Sequence, residues 1–186
     1  MTDNPTPHQD RLRHILKTGG KPTSTGGHDG DGGDEASCAA FGYLRGIRDT
    51  AASVEFRLRD GNSMWFPYSW LGPWQFNPSD GLLLKFSGDC VYLVLIRGSN
   101  LDKPLADGSI NLTHAGLQRH RVLWIREMSK VDIERVGESG PTIDSIEIGQ
   151  FKSQEEMQEW IKERGTCFHS QFSNRIDSQS GSDRSR

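Results

Sequence analysis

Three tryptophans close together in the chain are the residues best suited to bind a partner. Trp65, Trp70 and Trp74 lie within the aromatic stretch Trp65–Phe76. Exposed aromatic side chains concentrate at protein interfaces, where they supply much of the binding energy. The same rings also suit a hydrophobic core or a covered sheet edge. We therefore predict a protein contact at these three residues, and their placement in the core is the alternative.

A second group of side chains with binding potential is basic. Arg119, His120 and Arg121 are consecutive and lead into a predicted strand, and Arg97 lies at the end of another. If the fold brings them together, they can contact phosphates while neighbouring aromatic rings stack on bases. The alternative is that these arginines pair with nearby acidic groups. A nucleic-acid contact at Arg97, Arg119, His120 and Arg121 is thus a second hypothesis.

No catalytic or metal-binding arrangement is evident in the sequence. Gly137–Pro141 resembles the loop around a protease serine, but serine catalysis also requires a base and an orienting carboxylate, and no histidine motif accompanies this loop. Cys167 and His169 provide fewer ligands than tetrahedral zinc requires, and the acidic segment 29–35 fails the spacing of a calcium loop. We predict no catalytic residue, no metal and no cofactor, and an enzyme with an unfamiliar site is the third hypothesis.

Charge and cysteine content narrow the class of protein. The chain has 22 Lys and Arg against 25 Asp and Glu, which is not the strongly basic balance of a dedicated nucleic-acid-binding domain. Its three cysteines are widely spaced and do not indicate a disulfide framework. The polar N-terminus lacks a signal-peptide pattern, and the longest apolar run, Val91–Ile96, is too short to span a membrane. We expect a cytoplasmic protein with no membrane partner.

Composition divides the chain into one domain and two tails. Glycine and polar residues dominate the first part of the sequence, and Ser, Asp and Arg dominate after Phe172. Such segments cannot bury enough apolar surface to offset the entropy lost on ordering. We predict disordered tails at 1–36 and 166–186 and a single domain at 37–165.

The centre of the domain is the segment Val54–Gly98. Its alternation of apolar and polar residues predicts antiparallel strands, with a hairpin turn at Asp60–Asn62. Pro67 lacks an amide hydrogen, which indicates a strand that lies at a sheet edge or ends near this residue. Cys90–Ile96 is apolar on both faces, which indicates a central strand covered on each side. Further strands are predicted at 122–125 and 143–148.

Two helices are predicted to cover this sheet. Residues 37–50 place apolar side chains such as Tyr43 and Ile47 at helical spacing. Near the C-terminus, Ser153 and Glu156 form a capping box at the start of an amphipathic helix. The predicted fold is therefore α+β: a small, mainly antiparallel, barrel-like sheet with an N-terminal helix and a packed C-terminal amphipathic helix.

Two pieces of the chain resemble Sm-like proteins. One is the predicted helix at 37–50 followed by Val-Glu-Phe-Arg-Leu-Arg-Asp-Gly, and the other is Ile-Arg-Gly at 96–98. Sm-like proteins are small β-barrels that bind RNA and form rings. The resemblance implies that Arg97 and Gly98 lie at a base-binding pocket.

A broader set of strings is similar to an uncharacterised bacterial domain family of planctomycete type. These strings lie between residues 41 and 148 and are YLRGIRD, FRLRDG, PYSWL, RGSNL and QRHRVLWI. No activity is associated with that family, so the resemblance implies a single domain and transfers no function.

The leading functional hypothesis is a non-enzymatic protein-interaction module with an unknown protein partner. It depends on the aromatic stretch and on the lack of a recognisable catalytic arrangement. An RNA-binding small β-barrel is the alternative, and an enzyme with an unrecognised site is a further one.

Overall fold

The computed structural model describes residues 34–168 of the chain. Most of the predicted tails, 1–36 and 166–186, lies outside these residues. The first strand of the described residues begins at Glu35, and the last described residue, Phe168, is buried.

Short strands make up most of the described chain, and two α-helices follow late in the sequence. The strands are β1 (Glu35–Ser37), β2 (Phe41–Leu44), β3 (Ser53–Arg57), β4 (Ser63–Pro67), β5 (Leu71–Asn77), β6 (Gly81–Ser87), β7 (Val91–Ser99), β8 (Val122–Arg126) and β9 (Thr142–Phe151). The helices are α1 (Lys130–Val136) and α2 (Gln154–Glu163), with a 3₁₀ turn at Tyr68–Trp70 and a π-helical segment at Leu112–Leu117.

The strands form two sheets. Sheet A has the order β1-β2-β8-β3-β4, and sheet B has the order β5-β6-β7-β9. All neighbouring strands are antiparallel except β3 and β8, which are parallel. The predicted mixture of helix and mainly antiparallel sheet is confirmed. The barrel-like sheet needs correction, because the 3₁₀ turn carries the chain from sheet A to sheet B and the residues 34–168 form no closed barrel.

The predicted N-terminal helix over 37–50 is wrong. This region contains the end of β1 and all of β2, whose four residues are buried. Ile47, which the helical pattern placed on the buried face, is 73 % exposed. Apolar residues at Tyr43 and its neighbours satisfy a buried strand as well as a helix, and pairing of β2 with β8 decides between the two.

The predicted central strand is confirmed as β7, which pairs with β6 on one side and β9 on the other. One of its faces carries Val94 and Ile96 into the main core between the two sheets. Aromatic rings close this core, where Phe66 of sheet A stacks on Phe86 of sheet B with 4.5 Å between centroids. The cover on this face is therefore a second sheet and not the expected N-terminal helix.

The other face of β7 is covered by α2, which confirms the predicted C-terminal helix. Leu93 and Leu95 form a second, smaller cluster with Met157 and Ile161 of the helix. Ser153 caps α2 by accepting a hydrogen bond from the Glu156 amide at 3.2 Å. The Glu156 carboxylate in turn accepts a hydrogen bond from the amide of Lys152 at 3.1 Å. This is the reciprocal bond of a capping box, made to the residue before the N-cap Ser153.

A polar clasp joins the two sheets where β8 ends. The carboxylate of Glu127 accepts hydrogen bonds from the Arg59 amide and the Ile146 amide, each at 2.7 Å. The Arg59 guanidinium donates to the carbonyl of Met128 at 3.0 Å and to that of Asp144 at 2.7 Å. These bonds satisfy part of the outer edge of β9, which otherwise pairs only with β7.

Candidate functional site

A row of four residues crosses the outer face of sheet A from strand to strand. Gly42 of β2 is paired with Trp124 of β8, Trp124 with Glu55 of β3, and Glu55 with Trp65 of β4. Residues paired directly across neighbouring strands share a face of the sheet. Val54 and Phe56, on either side of Glu55, are fully buried, so the row faces away from the main core. We call Gly42, Trp124, Glu55 and Trp65 the tryptophan row.

One half of the tryptophan row is occupied by an arginine of the protein itself. The Arg57 guanidinium lies 4.5 Å from the centre of the Trp124 ring and forms an ion pair with Glu55 at 2.7 Å. This hydrogen bond holds the pKa of Glu55 below its usual range, against the opposing effect of partial burial. Trp124 also lies on Gly42, where an added Cβ would come within 2.2 Å of its indole nitrogen. The cation, the carboxylate and this ring therefore support one another in a fixed arrangement.

The other half of the row is open. Trp65 is 59 % exposed on β4, which lies at one edge of sheet A. Met64 is 40 % exposed although its Cα partner, Phe56, is fully buried. The edge position predicted from Pro67 is confirmed, and the edge strand carries a large apolar side chain toward each face.

The two other tryptophans of the predicted contact site lie elsewhere. Trp70, in the 3₁₀ turn, lies over the backbone of Gly88, and Trp74 of β5 has its ring 6.4 Å from that of His114. Both are partly buried and pack against the main core. The structure thus separates Trp65, which is a surface residue, from Trp70 and Trp74, which contribute to packing.

The predicted basic site does not assemble as one exposed patch. Arg121 is only 4 % exposed, and its guanidinium donates to the carbonyls of Leu44 and Arg45, both at 2.7 Å. His120, with a φ of 54°, stacks on Tyr68 at 4.4 Å between ring centroids. Arg119 alone of the consecutive basic residues is exposed. A nucleic-acid contact there remains a prediction that now depends on Arg119.

Arg97 lies on the face of sheet B that α2 covers. It pairs with Glu147 of β9, and Arg164 at the end of α2 pairs with the same carboxylate at 2.7 Å. Arg164 also stacks on Trp160 at 3.8 Å. Gly98 follows at a bulge where an added Cβ would lie 1.9 Å from the carbonyl oxygen of Thr142. The Arg97-Gly98 pair therefore has a structural role in joining β7, β9 and α2.

The described residues do not converge on a recognisable catalytic arrangement. A cavity of about 160 Å³ lies between sheet B and the start of α2, lined partly by Lys85, Phe151 and Met157. No group of three or more His, Cys, Asp or Glu within 34–168 is placed to hold a metal ion. Burial raises the pKa of the Cys38 thiol and of the Tyr68 hydroxyl, which is opposite to the activation of a nucleophile.

Sequence reasoning missed Trp124 and Glu55 as members of the exposed face. Trp124 lies in the apolar run Val122–Ile125, which is typical of a buried strand, although Trp124 is partly exposed. The position of Glu55 on this face could have been predicted, because it is one of the polar residues that alternate with apolar ones along β3. Its two tryptophan neighbours come from strands distant in sequence, so their convergence follows only from strand order.

In comparisons with family models, curated proteins and solved structures, the chain matched none. The resemblances to Sm-like proteins and to a planctomycete-type family therefore stay predictions. Among the helices within residues 34–168, none has the length and apolar character that crossing a membrane requires.

Proposed function

We propose that the protein is a non-enzymatic protein-interaction module whose contact site is centred on Trp65. The observation that supports this is an indole ring 59 % exposed at the open edge of a sheet. Tryptophan is enriched among the residues that dominate binding energy, because a large rigid ring is desolvated with little loss of side-chain entropy. The exposed Met64 adds apolar surface to the same edge strand, on the opposite face of the sheet.

The surroundings of Trp65 favour binding without rearrangement. All five residues of β4 are paired with β3. Glu55, directly across from Trp65, accepts a hydrogen bond from Arg57 Nε at 2.8 Å. A rigid surface loses less conformational entropy on association than a mobile one does.

The three cysteines are unpaired, which is compatible with the reducing cytoplasm that we propose as the location of the protein.

Charge favours a protein partner over RNA. Residues 34–168 contain 15 Lys and Arg against 19 Asp and Glu, a net charge of −4. Arg97 and Arg121 already bond to groups of the protein itself. Phosphate binding depends on clustered cations, and RNA is therefore the second candidate, with Arg119 as its remaining exposed contact.

The test is affinity capture with the full-length protein from the cells that express it, comparing wild type, Trp65→Ala and Ile47→Ala. Ile47 is the matched control, since it is 73 % exposed and lies outside the tryptophan row. We expect wild type and Ile47→Ala to retain the same protein, and Trp65→Ala to retain at most about a tenth of it, as for a residue that dominates binding.

Two outcomes would contradict this function. One is capture of no protein at all, or of the same set by Trp65→Ala. The other is retention of RNA at low salt that Arg119→Ala removes, which favours the RNA-binding alternative.

A further inference from the structure

We propose that β4 accepts an extended cationic peptide as an additional strand of sheet A, with an arginine or lysine of the peptide stacked on Trp65. The proposal deepens the interaction function given above and rests on it. It assigns both the binding mode, strand addition, and the chemistry of the partner.

The backbone of β4 presents free hydrogen-bonding groups toward the open edge. The Leu58 amide donates to Asn62 and the Tyr68 amide donates to Ala52, at 2.8 and 2.9 Å, at the two ends of the β3–β4 ladder. Hydrogen-bonded and non-hydrogen-bonded pairs alternate along an antiparallel ladder. The amide and carbonyl groups of Trp65 therefore point away from β3.

The same alternation applies to the rest of the strand. Ser63, two residues before Trp65, also presents its amide and carbonyl outward, and Pro67, two residues after it, presents a carbonyl only. An incoming strand can thus bond to Ser63 and Trp65 in full, and Pro67 limits pairing at the end near the 3₁₀ turn. This is the arrangement by which peptides add to sheet edges, where backbone bonds supply affinity and side chains supply specificity.

The tryptophan row indicates which side chain fits opposite Trp65. Within the row, Glu55 lies between two tryptophans, and Arg57 stacks on Trp124 while it pairs with that carboxylate. The two cation–ring contacts described within residues 34–168 are Arg57 with Trp124 and Arg164 with Trp160, and neither uses the Trp65 ring. A peptide residue directly opposite Trp65 would have its Cβ about 5 Å away on the same face. An arginine or lysine there can lie across the ring with its charged end toward Glu55.

The net charge favours the same partner. The described residues have a net charge of −4, which attracts cationic segments and accelerates their association. A cation on a tryptophan face also gains from the negative potential of the ring. Backbone geometry and charge complementarity therefore point to one class of ligand.

The first test is selection from a displayed library of random short peptides, using full-length wild type, Trp65→Ala and Ile47→Ala. We expect wild type and Ile47→Ala to enrich peptides with Arg or Lys at one fixed position, and Trp65→Ala to lose that enrichment. For one selected peptide, binding by Trp65→Ala should weaken about tenfold or more, and exchanging its fixed Arg for Glu should weaken binding further.

The second test addresses strand addition. Ser63→Pro removes an outward amide but no backbone bond to β3, whereas Ser63→Ala retains that amide. Both substitutions remove the Ser63 side-chain bond to the Glu55 carboxylate, so their difference reports on the amide alone. We expect Ser63→Pro to abolish binding of the selected peptide and Ser63→Ala to leave it unchanged. If Ser63→Pro unfolds the protein, hydrogen exchange on the wild type decides, because bound peptide should slow exchange of the Ser63 and Trp65 amides.

Three results would overturn the proposal. Enriched peptides without a fixed cation would contradict the partner chemistry, and unprotected Ser63 and Trp65 amides would contradict strand addition. A dimer in sedimentation that Trp65→Ala dissociates would identify a second copy as the occupant of β4. If Trp65 still determines capture of a protein in any of these cases, the interaction function stands and only this binding mode fails.

Discussion

Arginine illustrates how position determines the role of a residue in this protein. Arg57 stacks on a partly exposed ring, Arg97 joins a helix to a sheet, and Arg121 lies in the interior with its guanidinium bonded to two backbone carbonyls. Arg121 donates to the carbonyl of Leu44, the last residue of β2, and to that of Arg45, the residue that follows the strand. Similar side chains therefore differ greatly in what their removal should do.

We predict that Arg121→Met lowers the free energy of unfolding by about 2–4 kcal/mol, because buried carbonyl groups lose charged hydrogen-bond donors. Arg119→Met is the matched control, since Arg119 is exposed two residues away, and it should change stability by less than about 0.5 kcal/mol. Urea unfolding followed by tryptophan fluorescence measures both. Equal effects of the two substitutions would show that Arg121 is not a structural residue.

At the scale of elements, two edge strands differ in how far their backbone groups are hydrogen-bonded. The outer edge of β9 is bonded by Glu127 and Arg59, whereas β4 has a partner only on its β3 side. Unpaired strand edges attract other strands, so proteins commonly cover them or interrupt them with proline. β4 is interrupted by Pro67 at one end, and its central part remains available to a partner.

The polar clasp formed by Glu127 and Arg59 provides the prediction at this scale. Glu127→Gln replaces one accepting oxygen by an NH₂ group, so it can accept from only one of the two amides of Arg59 and Ile146. We expect a loss of about 1–3 kcal/mol in unfolding free energy and faster hydrogen exchange at the Ile146 amide. Glu134→Gln, an exposed carboxylate on α1, is the control and should alter neither. Unchanged exchange at Ile146 would rule out the clasp as a stabilising feature.

At the scale of the molecule, sheet B separates two hydrophobic clusters of unequal size. The main core joins sheets A and B, and the smaller cluster joins sheet B to α2. An element held by few buried contacts can open while the rest of the protein remains folded. The ion pairs of Glu147 with Arg97 and Arg164 add a second attachment for α2.

We therefore predict that Ile161→Ala accelerates amide exchange in α2 about tenfold or more and leaves the strands of the main core unchanged, because the lost burial affects only the opening of the helix. Ile125→Ala is the matched substitution in the main core, where Ile125 is fully buried. It should accelerate exchange in both sheets. Uniform acceleration by Ile161→Ala would instead show that the two clusters unfold as one unit.

Several features of the fold followed from sequence because they depend on neighbouring residues. Asp60–Asn62 predicted the β3–β4 turn, Pro67 the edge strand and Ser153 with Glu156 the start of α2, and each is confirmed. Alternation predicted β3, and the run Cys90–Ile96, apolar on both faces, predicted the central strand β7. Turn chemistry, capping and periodicity act within a few residues, so the sequence alone is sufficient for them.

Other features depended on contacts between distant parts of the chain. Residues 37–50 satisfied a helical pattern, yet β2 forms because its residues complete a buried sheet and because Gly42 admits the ring of Trp124. The exposure of Trp65 and the burial of Arg121 were equally undetermined, since a side chain's own sequence neighbours do not decide which strand lies beside it. The sequence by itself determined the aromatic and charged residues available for binding and most of the strands. Only the tertiary structure decided that Trp124, Glu55 and Trp65 meet in one row, because strand order is set by packing the whole core.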